Sequence, residues 1–155
     1  MNLFYLEDDF DLAIQFSDLA KQIGANVLIA TTLEDAEYIM EIEPGVAAFD
    51  RFIFDLSVPY AARMREDTGL VEYGMTTGYA GLDFILDYYE NDPVFKKAIE
   101  GERVAILSGH YVDALFAGEE YKMVLQNILC LSKLSSTIES EEFLAFLLAK
   151  NKITT

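Results

Sequence analysis

The chain reads as an α/β protein in which a doubly wound, five-stranded parallel sheet lies between two layers of helices. Two observations predict this. Five short runs rich in β-branched and aromatic residues recur along the chain, each nearly continuous in apolar character rather than alternating. That is the pattern of strands covered on both faces, as in a parallel sheet. Between the runs lie segments whose apolar residues repeat at helical spacing, and strand–helix alternation of this kind closes through right-handed crossovers into a three-layer α/β/α sandwich.

In chain order, the first run is Leu3-Phe4-Tyr5-Leu6. Behind it Leu12, Phe16, Leu19 and Ile23 fall on one face of a helix, and Gly24 stands where a helix C-cap is expected. The second run is residues 26–30. Thr32 then opens a T-x-x-D capping pattern ahead of Ala36, Ile39 and Met40, and Pro44-Gly45 stops that helix. The third run, Arg51-Phe52-Ile53-Phe54, is followed by a stretch without strong pattern. Leu82, Ile85, Leu86 and Tyr89 mark a third helix; residues 103–107 form the fourth run, and 111–125 predict a further helix. After the fifth run at 127–131, Ser140 followed by Glu141 and Glu142 caps a last helix with Phe143, Leu144, Leu147 and Leu148 on its apolar face.

Composition narrows the function classes. With 155 residues, 52% of them hydrophobic, the chain can bury one good core; we read residues 1–150 as one domain and 151–155 as a C-terminal tail. No apolar run approaches the roughly 20 residues that span a bilayer, and the acidic N-terminal segment is unlike a secretory signal. A formal charge of −16 opposes direct contact with nucleic acid or anionic lipid. The single cysteine, Cys130, excludes an internal disulfide and fits a reducing, cytoplasmic setting.

In doubly wound sheets, ligands bind outside the carboxyl ends of the strands. Glu7 and Asp8 follow the first run, Asp55 the third, Ser108 the fourth and Lys133 the fifth. A carboxylate placed directly after Phe52-Ile53-Phe54 is costly to desolvate unless a cation or strong donors compensate it. Three carboxyl groups gathered at one point repel one another unless a divalent ion sits between them, and hard oxygen ligands point to Mg²⁺. With metal, ammonium and hydroxyl about Asp55, the chemistry that fits is phosphoryl transfer onto that carboxylate, with Lys133 and Ser108 contacting the phosphoryl oxygens. Asp9 and Asp11 read instead as helix-start and surface acids.

The set resembles the receiver domain of two-component response regulators over nearly the whole chain. The matching pieces are the acidic pair within Leu6-Glu7-Asp8-Asp9, the D-x-x-x-P of Asp55 to Pro59, the hydroxyl and small residue of Leu107-Ser108-Gly109, and the lysine of Leu131-Ser132-Lys133-Leu134. The resemblance implies a flavodoxin-like strand order of 2-1-3-4-5, and a Mg²⁺ site made by Glu7, Asp8, Asp55 and the backbone carbonyl of Ser57. It implies phosphorylation of Asp55 by a histidine kinase or phosphotransfer protein, with Ser108 and Lys133 assisting. The output would be contact with a downstream protein effector; homodimerisation is left open.

Three features depart from the pattern. Leu134 stands where the family carries proline, Cys130 stands where it carries a switch aromatic, and an insertion fills about residues 60–80. Loops beyond about 12–15 residues in a compact domain are usually functional or disordered. The missing proline and aromatic favour an alternative, a receiver-like module that recognises a partner or small ligand near the insertion without phosphotransfer; the intact Asp55, Ser108 and Lys133 set argues against it. A Mg²⁺-dependent hydrolase with an aspartyl-phosphate intermediate is a third reading, disfavoured because such enzymes place D-x-D after the first strand.

Overall fold

In the computed structural model, residues 1–42, 44–56, 62–64, 71–73, 80–108, 119–132 and 140–150 are described. The main sheet comprises β1 (Asn2–Leu6), β2 (Asn26–Ala30), β3 (Arg51–Phe54), β6 (Val104–Ser108) and β7 (Leu129–Ser132). All its pairings are parallel and its order is β2-β1-β3-β6-β7, the expected 2-1-3-4-5 when the sheet's own strands are counted. Within the insertion, β4 (Ala62–Met64) and β5 (Val71–Tyr73) form a separate antiparallel pair.

Alternation along the central strands builds two cores, because successive side chains point to opposite faces. Leu3, Tyr5, Ile53, Ala105 and Leu107 face one way and pack on α1 (Phe10–Gln22) and α6 (Glu141–Leu148) through Phe16, Ala20, Phe143, Phe146 and Leu147. Phe4, Leu6, Phe52, Phe54, Val104 and Ile106 face the other way. There they meet α2 (Leu33–Glu41), α3 (Ala80–Asn91), α4 (Pro93–Glu100) and α5 (Glu119–Leu125). The three-layer sandwich follows from this division.

Local chemistry starts and stops the helices much as the residue pattern predicts. Asp9 caps α1, its Oδ1 accepting from the N–H groups of Asp11 and Leu12 at 3.0 and 3.2 Å. Thr32 Oγ1 accepts from Asp35 N at 3.1 Å, and Ser140 Oγ from Phe143 N at 3.2 Å. After α2, Gly45 is required twice over: its φ is +58°, and a Cβ there would lie 2.5 Å from Met40 O. Replacing Asp9 by alanine removes a donor-satisfying cap and is expected to cost about 1 kcal/mol in urea unfolding. No change in the unfolding midpoint would contradict the cap assignment.

Some elements differ from expectation. The residue pattern predicts no helix over 93–100, yet α4 occupies it, with Asp92 Oδ1 accepting from Val94 N and Phe95 N and Pro93 in the first turn. Phe95 then packs edge-on against Phe52 and Phe54 of β3, which fixes α4 under the central strand. The helix expected over 111–125 is seen as Glu119–Leu125, and residues 111–118 lie outside the described ones. The uniform covering expected of all five strands fails at β2, where Leu28 is 46% exposed. Edge position, rather than composition, decides this, since among the described residues β2 pairs only with β1.

Candidate functional site

The parallel registers bring the predicted acids to one edge of the sheet. Leu6 is opposite Phe54, and the ladder continues one residue further through the hydrogen bond from Asp55 N to Leu6 O, 2.9 Å. Glu7 N bonds in turn to Ala30 O at 2.9 Å. Glu7 and Asp55 therefore leave adjacent strands side by side, and Asp8 follows in the next position. Carboxylate oxygens of Glu7, Asp8 and Asp55 all lie within 4.8 Å of one another. Glu7 and Asp55 are 0% and 2% exposed, whereas Asp8 is open to solvent.

Neighbouring groups hold Glu7 in place. The buried Tyr5 hydroxyl donates to Glu7 Oε2 at 3.0 Å, and Asp9 N donates to Oε1 at 3.0 Å. Burial raises the Tyr5 pKa, and the Glu7 and Asp55 carboxylates raise it further, so the phenol stays protonated and available as a donor. Asp9 thus divides its roles: its side chain caps α1 and its backbone N–H fixes Glu7, in keeping with its reading as a helix-start acid.

Ser108 is the last residue of β6, not the first residue beyond it, and is 1% exposed. The pairing of Phe54 with Ile106 puts it at the same carboxyl edge as Asp55. It is opposite Ser132, the last residue of β7. Ser57, Gly109, Lys133 and Leu134 lie outside the described residues. Cys130 is described; it is partly buried and packs against the core on the α2–α5 face.

Two contributors to this edge were not singled out by residue type or spacing. Tyr5 lies two positions before Glu7, and period two in a strand places both on one face. Gly81, near the start of α3, donates its N–H to Leu56 O at 3.1 Å and sits directly on the Asp55–Leu56 backbone. The donor set fits a hard divalent cation. Three carboxylates offer oxygen ligands, and a cation between them would relieve the repulsion of the two buried ones.

Neither protein-family models nor curated proteins match the sequence. Solved structures match in fold. A response-regulator receiver domain from Rhodospirillum rubrum superposes with TM-score 0.62 at 15% identity, over 97% of each chain. The receiver domain of Francisella response regulator 1452 matches with TM-score 0.56 at 15% identity, over 95% of this chain and 93% of that one. A response regulator from Burkholderia pseudomallei, solved with a phosphorylated aspartic acid, calcium ion and citrate, matches with TM-score 0.54 at 15% identity. It is the longer protein, 94% of this chain covering 65% of that one. The chain has the fold of response-regulator receiver domains.

Proposed function

We propose that the chain is a receiver-type signalling module that accepts a phosphoryl group on Asp55. The observation that carries this reading is the convergence of Glu7, Asp8 and Asp55 at the carboxyl edge of a receiver-type sheet, with buried Ser108 ending a neighbouring strand. The phosphorylated aspartic acid and calcium ion of the Burkholderia protein supply a precedent in a chain of the same fold.

Glu7, Asp8 and Asp55 would hold Mg²⁺, joined by the Ser57 carbonyl that the sequence resemblance implies. When bound, the ion offsets negative charge on the site carboxylates and on the incoming phosphoryl oxygens. An Asp55 carboxylate oxygen attacks phosphorus in line and forms the O–P bond as the bond to the donor's leaving atom breaks. A phosphohistidine donor departs through its imidazole nitrogen. The Ser108 hydroxyl donates to one phosphoryl oxygen, and the Lys133 ammonium neutralises another. The expected donors are a histidine kinase or phosphotransfer protein, and the expected output is contact with a protein effector. This chemistry is self-directed modification rather than turnover of an external substrate.

A second reading keeps the fold and drops the phosphotransfer. Cys130 favours it: at the switch position, the side chain facing the α2–α5 core is a small thiol, so no aromatic ring is available there to change position on phosphorylation.

Incubation with Mg²⁺ and acetyl phosphate, followed by intact mass measurement, separates the two. Wild type is expected to gain one phosphoryl group and Asp55→Asn none, and calorimetry should show saturable Mg²⁺ binding that Asp8→Asn weakens about ten-fold or more. An unmodified wild type, under conditions that label an ordinary receiver, would remove the phosphoacceptor assignment in favour of the binding module.

A further inference from the structure

We propose that Tyr5 is a positioning residue for the divalent-cation site, locking the Glu7 carboxylate in its ligating orientation. The inference rests on the reading of Glu7, Asp8 and Asp55 as a Mg²⁺ site. Glu7 carries one more methylene than aspartate and so one more rotatable bond between the strand and its carboxylate. Two donors of different kinds remove that freedom: the Asp9 backbone N–H on Oε1 and the Tyr5 hydroxyl on Oε2, each at 3.0 Å. A carboxylate presents about four lone-pair directions, so two hydrogen bonds orient it without exhausting its capacity for further partners.

The Tyr5 side chain is itself rigidly held. It is 0% exposed and part of the α1–α6 core, and its ring lies 4.5 Å from that of Phe16, centroid to centroid. Its hydroxyl is therefore delivered to Glu7 by a packed ring rather than by a flexible chain. A phenol also suits the place electrostatically. Lysine or arginine would neutralise Glu7 and compete with the cation, whereas a neutral donor orients the carboxylate and leaves the site's negative charge intact. Partners that orient metal ligands in this way typically change metal affinity by one to two orders of magnitude when removed.

Tyr5→Phe keeps the ring and its packing and deletes only the hydroxyl. Calorimetric titration with Mg²⁺ is expected to give a dissociation constant on the order of ten-fold higher than wild type. A purely structural tyrosine would lower the thermal midpoint and leave the Mg²⁺ constant unchanged, and that result would overturn the proposal. A second measurement needs no variant. In wild type the Tyr5 ring resonances, assigned through their nuclear Overhauser contacts with Phe16, should shift during the Mg²⁺ titration and saturate with the calorimetric constant. Saturable Mg²⁺ binding with an unmoved Tyr5 signal refutes the positioning role alone, whereas absence of any saturable binding in wild type removes the cation-site reading and this inference together.

Discussion

Arg51→Met is expected to destabilise the protein by about 3 kcal/mol, a large share of the roughly 5–15 kcal/mol that holds a domain folded. Arg51 opens β3 and is only 2% exposed. Its Nε donates to Phe146 O at 3.2 Å, its Nη1 to Asp50 O at 2.9 Å, and its Nη2 to Ala149 O. Phe146 lies in the last turn of α6 and Ala149 is its C-cap, where helix carbonyls lack intrahelical donors and the dipole favours a cation. The guanidinium also lies 5.9 Å from the centre of the Phe146 ring. Burial, with help from nearby Arg103, lowers the Arg51 pKa while Asp50 opposes the shift; arginine nonetheless stays charged across the accessible pH range.

Methionine preserves the apolar stem and strands several carbonyl groups without their donors. The bond to Phe146 O is buried, and an orphan left there costs about 1–3 kcal/mol; the bonds to Asp50 O and Ala149 O are partly buried and add less each. Arg51→Lys should recover less than half of the loss, because one ammonium cannot reproduce a planar fork that spans the helix end and Asp50. Urea unfolding measures both variants. A loss below about 1 kcal/mol for the methionine variant would show that water replaces the guanidinium without difficulty.

Arg51 also shows where reading residues in order stops. As part of Arg51-Phe52-Ile53-Phe54 it marks the start of a strand, and nothing about its spacing announces a partner 95 residues away at Phe146. The strands themselves were legible because burial on both faces leaves a local mark, an unbroken apolar run. The caps were legible because Asp9, Thr32 and Ser140 bond to N–H groups two or three residues on. Helix α4 escapes the residue pattern although Asp92-Pro93 is a recognisable start, because two turns offer too few apolar positions to establish a period. The acids of the site could be grouped because sheet topology, itself inferred from alternation, carries strand ends to one edge. What joins them to their surroundings, the Tyr5 hydroxyl and the close approach of Gly81, depends on side-chain reach and backbone separation that no local pattern records.

Gly81→Ala should cost about 2–3 kcal/mol and displace the site at the same time. A Cβ at residue 81 would stand 2.7 Å from Leu56 Cα, 2.8 Å from Asp55 O and 2.9 Å from Leu56 O. All three are backbone atoms of the segment that carries Asp55, so no side chain can swing aside to admit the methyl group. The segment is anchored by the Asp55 N to Leu6 O bond, and α3 is anchored by Leu82 and Ile85 in the core. One of these must yield. If α3 lifts, Leu56 loses its cover and its hydrogen bond from Gly81; if Asp55–Leu56 moves, the Asp55 carboxylate leaves its place beside Glu7 and Asp8. Gly45→Ala is the control, since it meets a comparable backbone collision, 2.5 Å from Met40 O, but acts at the turn after α2. Both variants should lower the urea midpoint, while Mg²⁺ affinity should fall for Gly81→Ala and hold for Gly45→Ala. Equal Mg²⁺ affinity in the two would mean that the contact between α3 and the Asp55 backbone serves stability alone, and that the carboxylate finds its position from the sheet without it.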